Sequence, residues 1–385
     1  MLLLKICSMP IPRCIMKGVE VPLIHAKVVE ARGCVNIAEV LEGLLTQENH
    51  FAVFAEVRAN AKVAEEKEDI KTMIQYLIIL LDDTSVVFCH NANGRKERRL
   101  MPLETLKAGI LYGMKENLNI QFVYPDYALP DEYNEVIEAV DHTKIKPASM
   151  ADGADVVVID GLKQAVDGVC EGRTCVLRLA KDEMFVGYDA VVRMFENATR
   201  LNIVLTDVET FTDEDFTKYK NVLETLAKDV ERMYVDGRSP QLNILTDRMM
   251  LDKMNNCGAG ETNITLAPDG RFYVCPAFYQ QEGGYAVGSL EEGLDIKNSQ
   301  LYKLDHAPLC RRCDAYQCRR CVWLNRKTTL EVNTPSHEQC VMAHLERNAA
   351  RLLLTAIRKH GTFLPGKEEI KEIDYLDPFE VRKEW

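Results

Sequence analysis

The sequence predicts an α/β protein: an open or partial barrel of βα units, followed by a small cysteine-rich domain with a β-hairpin and a C-terminal helix. Three observations carry this expectation. From Ile74 onward, apolar runs of strand length alternate with segments of helical period. Those runs lack the in-out alternation of a half-exposed strand, so both faces are covered, as in a parallel sheet layered by helices. Finally, seven of the thirteen cysteines fall in the last third of the 385 residues.

In chain order, strands are expected at 74–83 (IQYLIILLDD), 119–125 (NIQFVYP), 154–160 (ADVVVID), 174–180 (TCVLRLA), 201–207 (LNIVLTD) and 241–247 (QLNILTD). Amphipathic helices are expected between them at 102–117, 188–200 and 213–233. Six such units favour a partial (β/α)6 barrel over a sandwich. Ligands of these sheets sit at the carboxyl ends of the strands, which singles out Asp82, Asp83, Cys89, His90 and Asp126. Neighbours on a strand point to opposite faces, so Cys89 and His90 are not expected to work as a pair. Asp82 and Asp83 suit the start of a loop equally well.

Further on, ITLAPDGRFYVC sets Pro-Asp-Gly between two alternating runs, a hairpin that returns Cys275 toward Cys257. Residues 342–361 form a helix with Leu345, Ala349, Leu352, Leu353, Ala356 and Ile357 on one stripe and Gly361 as its C-cap. The expected divisions are 1–72, a segment without a legible role that ends in the helical pattern RANAKVAEEKEDIK; 73–250, the barrel; 251–365, the cysteine-rich domain; and 366–385, a charged tail.

Net charge is −12 and the pI about 5.3, so nucleic acid and anionic membrane are not expected partners. No apolar run approaches the roughly 20 residues of a spanning helix, and MLLLKICSMPIPRC lacks the features of an export signal. The expected compartment is the cytoplasm, where thiols stay reduced and serve as metal ligands. Cys7, Cys14, Cys34, Cys89, Cys170 and Cys175 are scattered and suit small buried hydrophobes.

The other seven cysteines have a pattern. Cys257 is followed by twelve residues, Gly270, four residues and Cys275; CRRCDAYQCRRC then places Cys310, Cys313, Cys318 and Cys321, and Cys340 follows after eighteen more residues. Short loops bring thiolates to one inorganic centre at small entropic cost. Zinc and a cubane iron-sulfur cluster each take four such ligands, so seven is one short of two complete sites. Arg311, Arg312, Arg319 and Arg320 either offset a cluster's negative charge or form a solvated face. Tyr316 and Trp323 are placed to shield such a centre or to touch a peptide.

This pattern resembles the SPASM domain, the C-terminal extension of radical S-adenosylmethionine enzymes that mature ribosomally made peptides, although its central run, C-x2-C-x4-C-x2-C, is shorter than the usual C-x2-C-x5-C-x3-C. The words CPAFY, CDAYQCRRCVWLN and EVNTPSHEQC are closer to the CXXX repeat peptide maturases, and the likeness covers about residues 73–365. It implies a barrel of radical S-adenosylmethionine type and two auxiliary 4Fe-4S clusters. Cys257, Cys275 and Cys321 would hold the first, with an open iron, and Cys310, Cys313, Cys318 and Cys340 the second. It also implies a precursor peptide or a partner maturase as the binding partner.

The likeness fails where the radical would start. The family places C-x3-C-x2-C after the first strand, whereas DDTSVVFCHN puts Asp82 and Val86 at the first two positions and only Cys89 at the third. The glycine-rich stretch after the second strand is replaced by FVYPDYALP. Cleavage of S-adenosylmethionine by this chain is therefore not expected. The leading expectation is an iron-sulfur protein of a peptide-maturation system. The other two are an active maturase that draws on an unrecognised site or a partner subunit, and a zinc-binding interaction module.

Overall fold

The computed structural model describes residues 74–166, 168–254, 256–281 and 284–370, together with two antiparallel strands, Ile15–Met16 and Val19–Glu20. The helical pattern at 58–71, the tail beyond residue 370 and Cys7, Cys14 and Cys34 lie outside the described residues. The chain divides into two compact units, Met1–Glu66 and Lys67–Trp385. The barrel and the cysteine-rich segment both belong to the second unit.

Seven strands run parallel and in sequence order: β1 (Tyr76–Leu80), β2 (Asn119–Val123), β3 (His142–Pro147), β4 (Val156–Asp160), β5 (Thr174–Leu179), β6 (Arg200–Leu205) and β7 (Gln241–Leu242). Each pairs with its predecessor, as strands of a winding barrel do. Six strands were expected, and β3 is the extra one. HTKIKP hides only Ile145 and Pro147, while Lys144 and Lys146 reach outward to Glu138 and the Asp152 carbonyl, so no apolar run marks it. The expected strand at 241–247 shrinks to two residues. There Thr246 Oγ1 accepts the Leu242 N–H at 2.9 Å and turns the chain into helix α6 (Thr246–Met250).

The helices before α6 are α1 (Leu103–Lys115), α2 (Asp131–Glu138), α3 (Lys181–Val186), α4 (Tyr188–Asn197) and α5 (Asp213–Val235). The sequence expectation missed α2 and α3, which are short. At the head of α5, Thr212 and Asp215 cap each other reciprocally, with N···O distances of 3.3 and 3.0 Å. Helix α1 carries Gly109 against the sheet, where a Cβ would run into Leu266.

Leu266 belongs to the hairpin, β8 (Asn263–Leu266) and β9 (Phe272–Tyr273), and β8 pairs parallel with β1 from Asn263↔Tyr76 to Leu266↔Ile79. The hairpin thus closes the free edge of β1 and makes one nine-stranded sheet of barrel and cysteine-rich segment. Beyond it lie α7 (Pro276–Gln280), the strand pair β10 (Gly288–Ser289) and β11 (Gly293–Leu294), α8 (Val322–Thr329) and α9 (His337–Ile357).

Helix α9 starts earlier than the expected 342 because Ser336 accepts the Gln339 N–H at 3.3 Å. Ala349, Ala350, Leu353, Leu354 and Ile357 are buried in the same core as Leu223, Leu226 and Val230 of α5. Leu352, expected on this stripe, is 48% exposed, and the cap is Arg358 rather than Gly361.

A further correction concerns two scattered thiols. Cys170 and Cys175 are not reduced but joined in a disulfide across the turn before β5, their Cα atoms 6.0 Å apart, and both are buried. Among the described residues no helix is long and apolar enough to cross a membrane.

Candidate metal centres

The resemblance sorts the seven cysteines of the sequence pattern into two sets, and the cavity that holds the first also takes in Cys89. Cys257 leads a tight turn in which Gly258 has φ +73° and takes the N–H groups of Glu261, Thr262 and Asn263 on its carbonyl. Cys275 precedes Pro276 at the head of α7. Cys321 heads α8, its sulfur accepting the Leu324 N–H at 3.5 Å. The Cys257 N–H donates to the Arg319 carbonyl at 3.0 Å, which ties the first turn to the cysteine-rich loop. All three sulfur-bearing residues line one cavity of about 620 Å³ with Cys318, Cys89 and His90.

Cys89 and His90 do not sit on a strand, contrary to the expectation from sequence. They lie in the irregular chain after β1, so the alternation that would separate their side chains does not apply. Arg178 of β5 pins this chain: Nε donates to the Cys89 carbonyl at 2.9 Å and Nη2 to the Asn91 carbonyl at 2.6 Å. The His90 Nδ1–H is placed to donate to the Leu205 carbonyl at 2.7 Å, and burial keeps the ring neutral by lowering its pKa.

Burial, and then repulsion from Cys257, pushes the Cys89 thiol up to about 12. Cys275 is pushed well above its ordinary value by burial and then by Cys89, Cys321 and Cys257; Cys321 is raised by burial and then Cys257, with Cys89 behind. Buried thiols of this kind ionise only when a cation or cluster takes the charge.

The second group is Cys310, Cys313, Cys318 and Cys340. Cys310 opens a 3-10 turn, Cys310–Arg312, and Cys340 lies in the first turns of α9. Burial followed by repulsion from Cys310, Cys313 and Cys340 raises the Cys318 thiol, and burial raises Cys310 to about 11. The sulfurs are met by polar hydrogens: Ala315 N–H on Cys313 and Arg320 N–H on Cys318, each at 3.4 Å, with His344 Nε2 also 3.4 Å from Cys313. Burial lowers the His344 pKa to about 4, so the ring is neutral at pH 7.

The four arginines of the loop divide. Arg311 and Arg312 are exposed, a solvated face. Arg319 is half-buried, 3.7 Å from Asp247. Arg320 is buried, with φ +45°, and its guanidinium donates to the Tyr302 carbonyl. Two further buried arginines, Arg248 and Arg347, stand 3.7 and 3.3 Å from Asp314, and Arg248 lies 4.3 Å over the Tyr316 ring. Nothing in the sequence marked them, because they come from α6 and α9 and meet the loop only in the fold. Trp323 lines the cavity, half-buried, with Lys327 5.2 Å from its ring.

Among the described residues, the one trio of metal-ligating atoms within 4.8 Å of one another is Cys313, Asp314 and His344. Thiolates around one zinc, at 2.3 Å each, lie only about 3.8 Å apart. Among the described residues no three of the grouped thiols lie within 4.8 Å of one another.

The carboxylates singled out by the sequence are committed elsewhere. Asp82 accepts from Tyr127 Oη at 2.7 Å and from Thr84 N–H at 2.8 Å. Asp83 pairs with Arg99 at 3.0 Å and accepts from Tyr279 Oη. Asp126 is exposed and meets Arg98 at 3.2 Å. None of the three lines the cavity.

No family model matches the chain, and no curated protein matches it. Among solved structures it is similar to native anSMEcpe with bound AdoMet: TM-score 0.50, 12% identity, covering 73% of this chain and 99% of that one. A second structure of anSMEcpe, with AdoMet and the Cp18Cys peptide, matches at TM-score 0.48 and 11% identity over 74% of this chain and 99% of that one. SuiB of Streptococcus suis bound to precursor peptide SuiA matches at TM-score 0.43 and 12% identity, over 83% of this chain and 87% of that one. The first likeness shows the fold: a partial α/β barrel like that of anSMEcpe, in line with the barrel expected from the sequence.

Proposed function

We propose that this chain is an iron-sulfur protein of a ribosomal peptide-maturation system, binding a cysteine-containing precursor peptide or a partner maturase without cleaving S-adenosylmethionine itself. In this reading residues 73–250 are the barrel and 251–365 the auxiliary domain. Cys257, Cys275 and Cys321 would hold one 4Fe-4S cluster, and Cys310, Cys313, Cys318 and Cys340 the other. Such clusters supply one-electron transfer at potentials set by their surroundings. The cysteine-rich donor sets support clusters, while the zinc reading rests on the one mixed trio, Cys313, Asp314 and His344.

The observation that carries the reading is the loop after β1. A radical-starting cluster there needs three thiolates and an open iron, but the loop offers Cys89 alone, and Asp82 at the first motif position is already bonded to Tyr127 and Thr84. Solved anSMEcpe holds AdoMet. Here Val86 stands where a second ligand would be, and valine has no donor atom. The cavity beside the first thiol group is lined by Gln121 and Trp323, a side-chain amide and an indole that a peptide could meet.

Anoxic purification followed by incubation with dithionite and S-adenosylmethionine tests this. The expected result is about eight irons per chain and no 5′-deoxyadenosine. Release of 5′-deoxyadenosine would establish the active-maturase reading instead, and colourless protein with stoichiometric zinc the interaction-module reading.

A further inference from the structure

Resting on the reading of the cysteine groups as iron-sulfur sites, we propose that Cys89 is the fourth ligand of the cluster held by Cys257, Cys275 and Cys321. That cluster is then closed, with no iron left open for a substrate. The resemblance alone supplied only three ligands for it, and the fourth comes from the first barrel strand's own loop, far from the others in sequence.

Three observations carry this. The four residues line the same cavity. The chain bearing Cys89 is bonded directly to the helix that Cys275 heads: Asn91 Nδ2 donates to Gln280 Oε1 at 2.9 Å, Gly94 N–H donates to the Gln280 carbonyl at 2.9 Å, and Gln280 Nε2 donates to the Ser85 carbonyl at 3.2 Å. From the other side Arg178 holds the Cys89 carbonyl, itself anchored to Asp160 at 2.7 Å, so the residue is fixed between β5 and α7.

On ligation the Cys89 thiol gives its proton to solvent and its sulfur bonds iron. His90 is the rival donor, since its Nδ1 bonds Leu205 and leaves Nε2 for a metal.

The test uses the full chain, isolated anoxically and reduced with dithionite, with EPR and Mössbauer spectra recorded with and without cyanide, which binds an iron lacking a protein ligand. The wild-type spectra are expected to be unchanged by cyanide. Cys89→Ala should gain a cyanide-sensitive iron and, on mild oxidation, lose one iron per chain, from about eight to about seven, with a 3Fe-4S signal. His90→Ala should match wild type. A cyanide shift in the wild-type protein, or an open iron in His90→Ala but not in Cys89→Ala, overturns the proposal. Should Cys89→Ala fail to fold, the wild-type comparison decides alone. Protein isolated without iron overturns the underlying reading too, whereas iron-loaded wild type that shifts with cyanide overturns only this inference.

Discussion

The two thiol groups differ in how they are assembled. Cys310, Cys313 and Cys318 come from nine consecutive residues and need only Cys340 from the head of α9. Cys257, Cys275 and Cys321 come from a turn, the end of a hairpin and a helix cap, and the proposed fourth ligand, Cys89, from the loop after β1. The first group therefore exists only when β8 is docked on β1, whereas the second is nearly a local loop. Their surroundings differ as well. Buried Arg248, Arg320 and Arg347 gather around the second group, while the first faces a cavity.

The largest effect should come from removing a ligand of one group. Cys310→Ala is expected to halve iron, from about eight to about four per chain, and to leave the first cluster's EPR signal intact. Loss of both signals would erase the distinction between a local and a long-range site.

Next is the arginine wall. Arg347→Ala leaves half-buried Asp314 to Arg248 alone, and breaking this pair with a fully buried arginine should cost up to about 3 kcal/mol, measured by urea unfolding under anoxic conditions.

Glu346 lies between the groups, accepting from Tyr219 Oη at 2.8 Å and Gln317 Nε2 at 3.3 Å. Burial raises its carboxyl from 4.5 to about 7. The unfolded chain therefore loses this proton first, and stability falls as pH rises from about 4.5 to about 7, by about 3 kcal/mol, then levels. Glu346→Gln should flatten that slope in urea titrations across this range; an unchanged slope would place its origin elsewhere.

The smallest effect belongs to the exposed arginines. Arg311→Ala should change stability by no more than about 0.5 kcal/mol and leave the second cluster's potential where it was. A clear shift in potential would mean that the wall extends to the surface.

Much of this molecule can be traced in its residues. Both-face apolar strands such as β4 and β5 declare themselves, because burial on two sides leaves little polar to interrupt them, Arg178 of β5 being the exception. The cysteine loop does so too, since adjacent ligands must be close in sequence when a loop alone brings them together. Strand β3 was hidden by its outward lysines, and β7 was shortened by a single threonine hydroxyl. The pairing of β8 with β1, the buried arginines on α6 and α9, and the approach of Cys89 to Cys275 were set by tertiary structure. Each joins segments far apart along the chain, and local pattern holds no record of such distances. Sequence determined which side chains were available as ligands and what the barrel was made of; packing decided which of them meet.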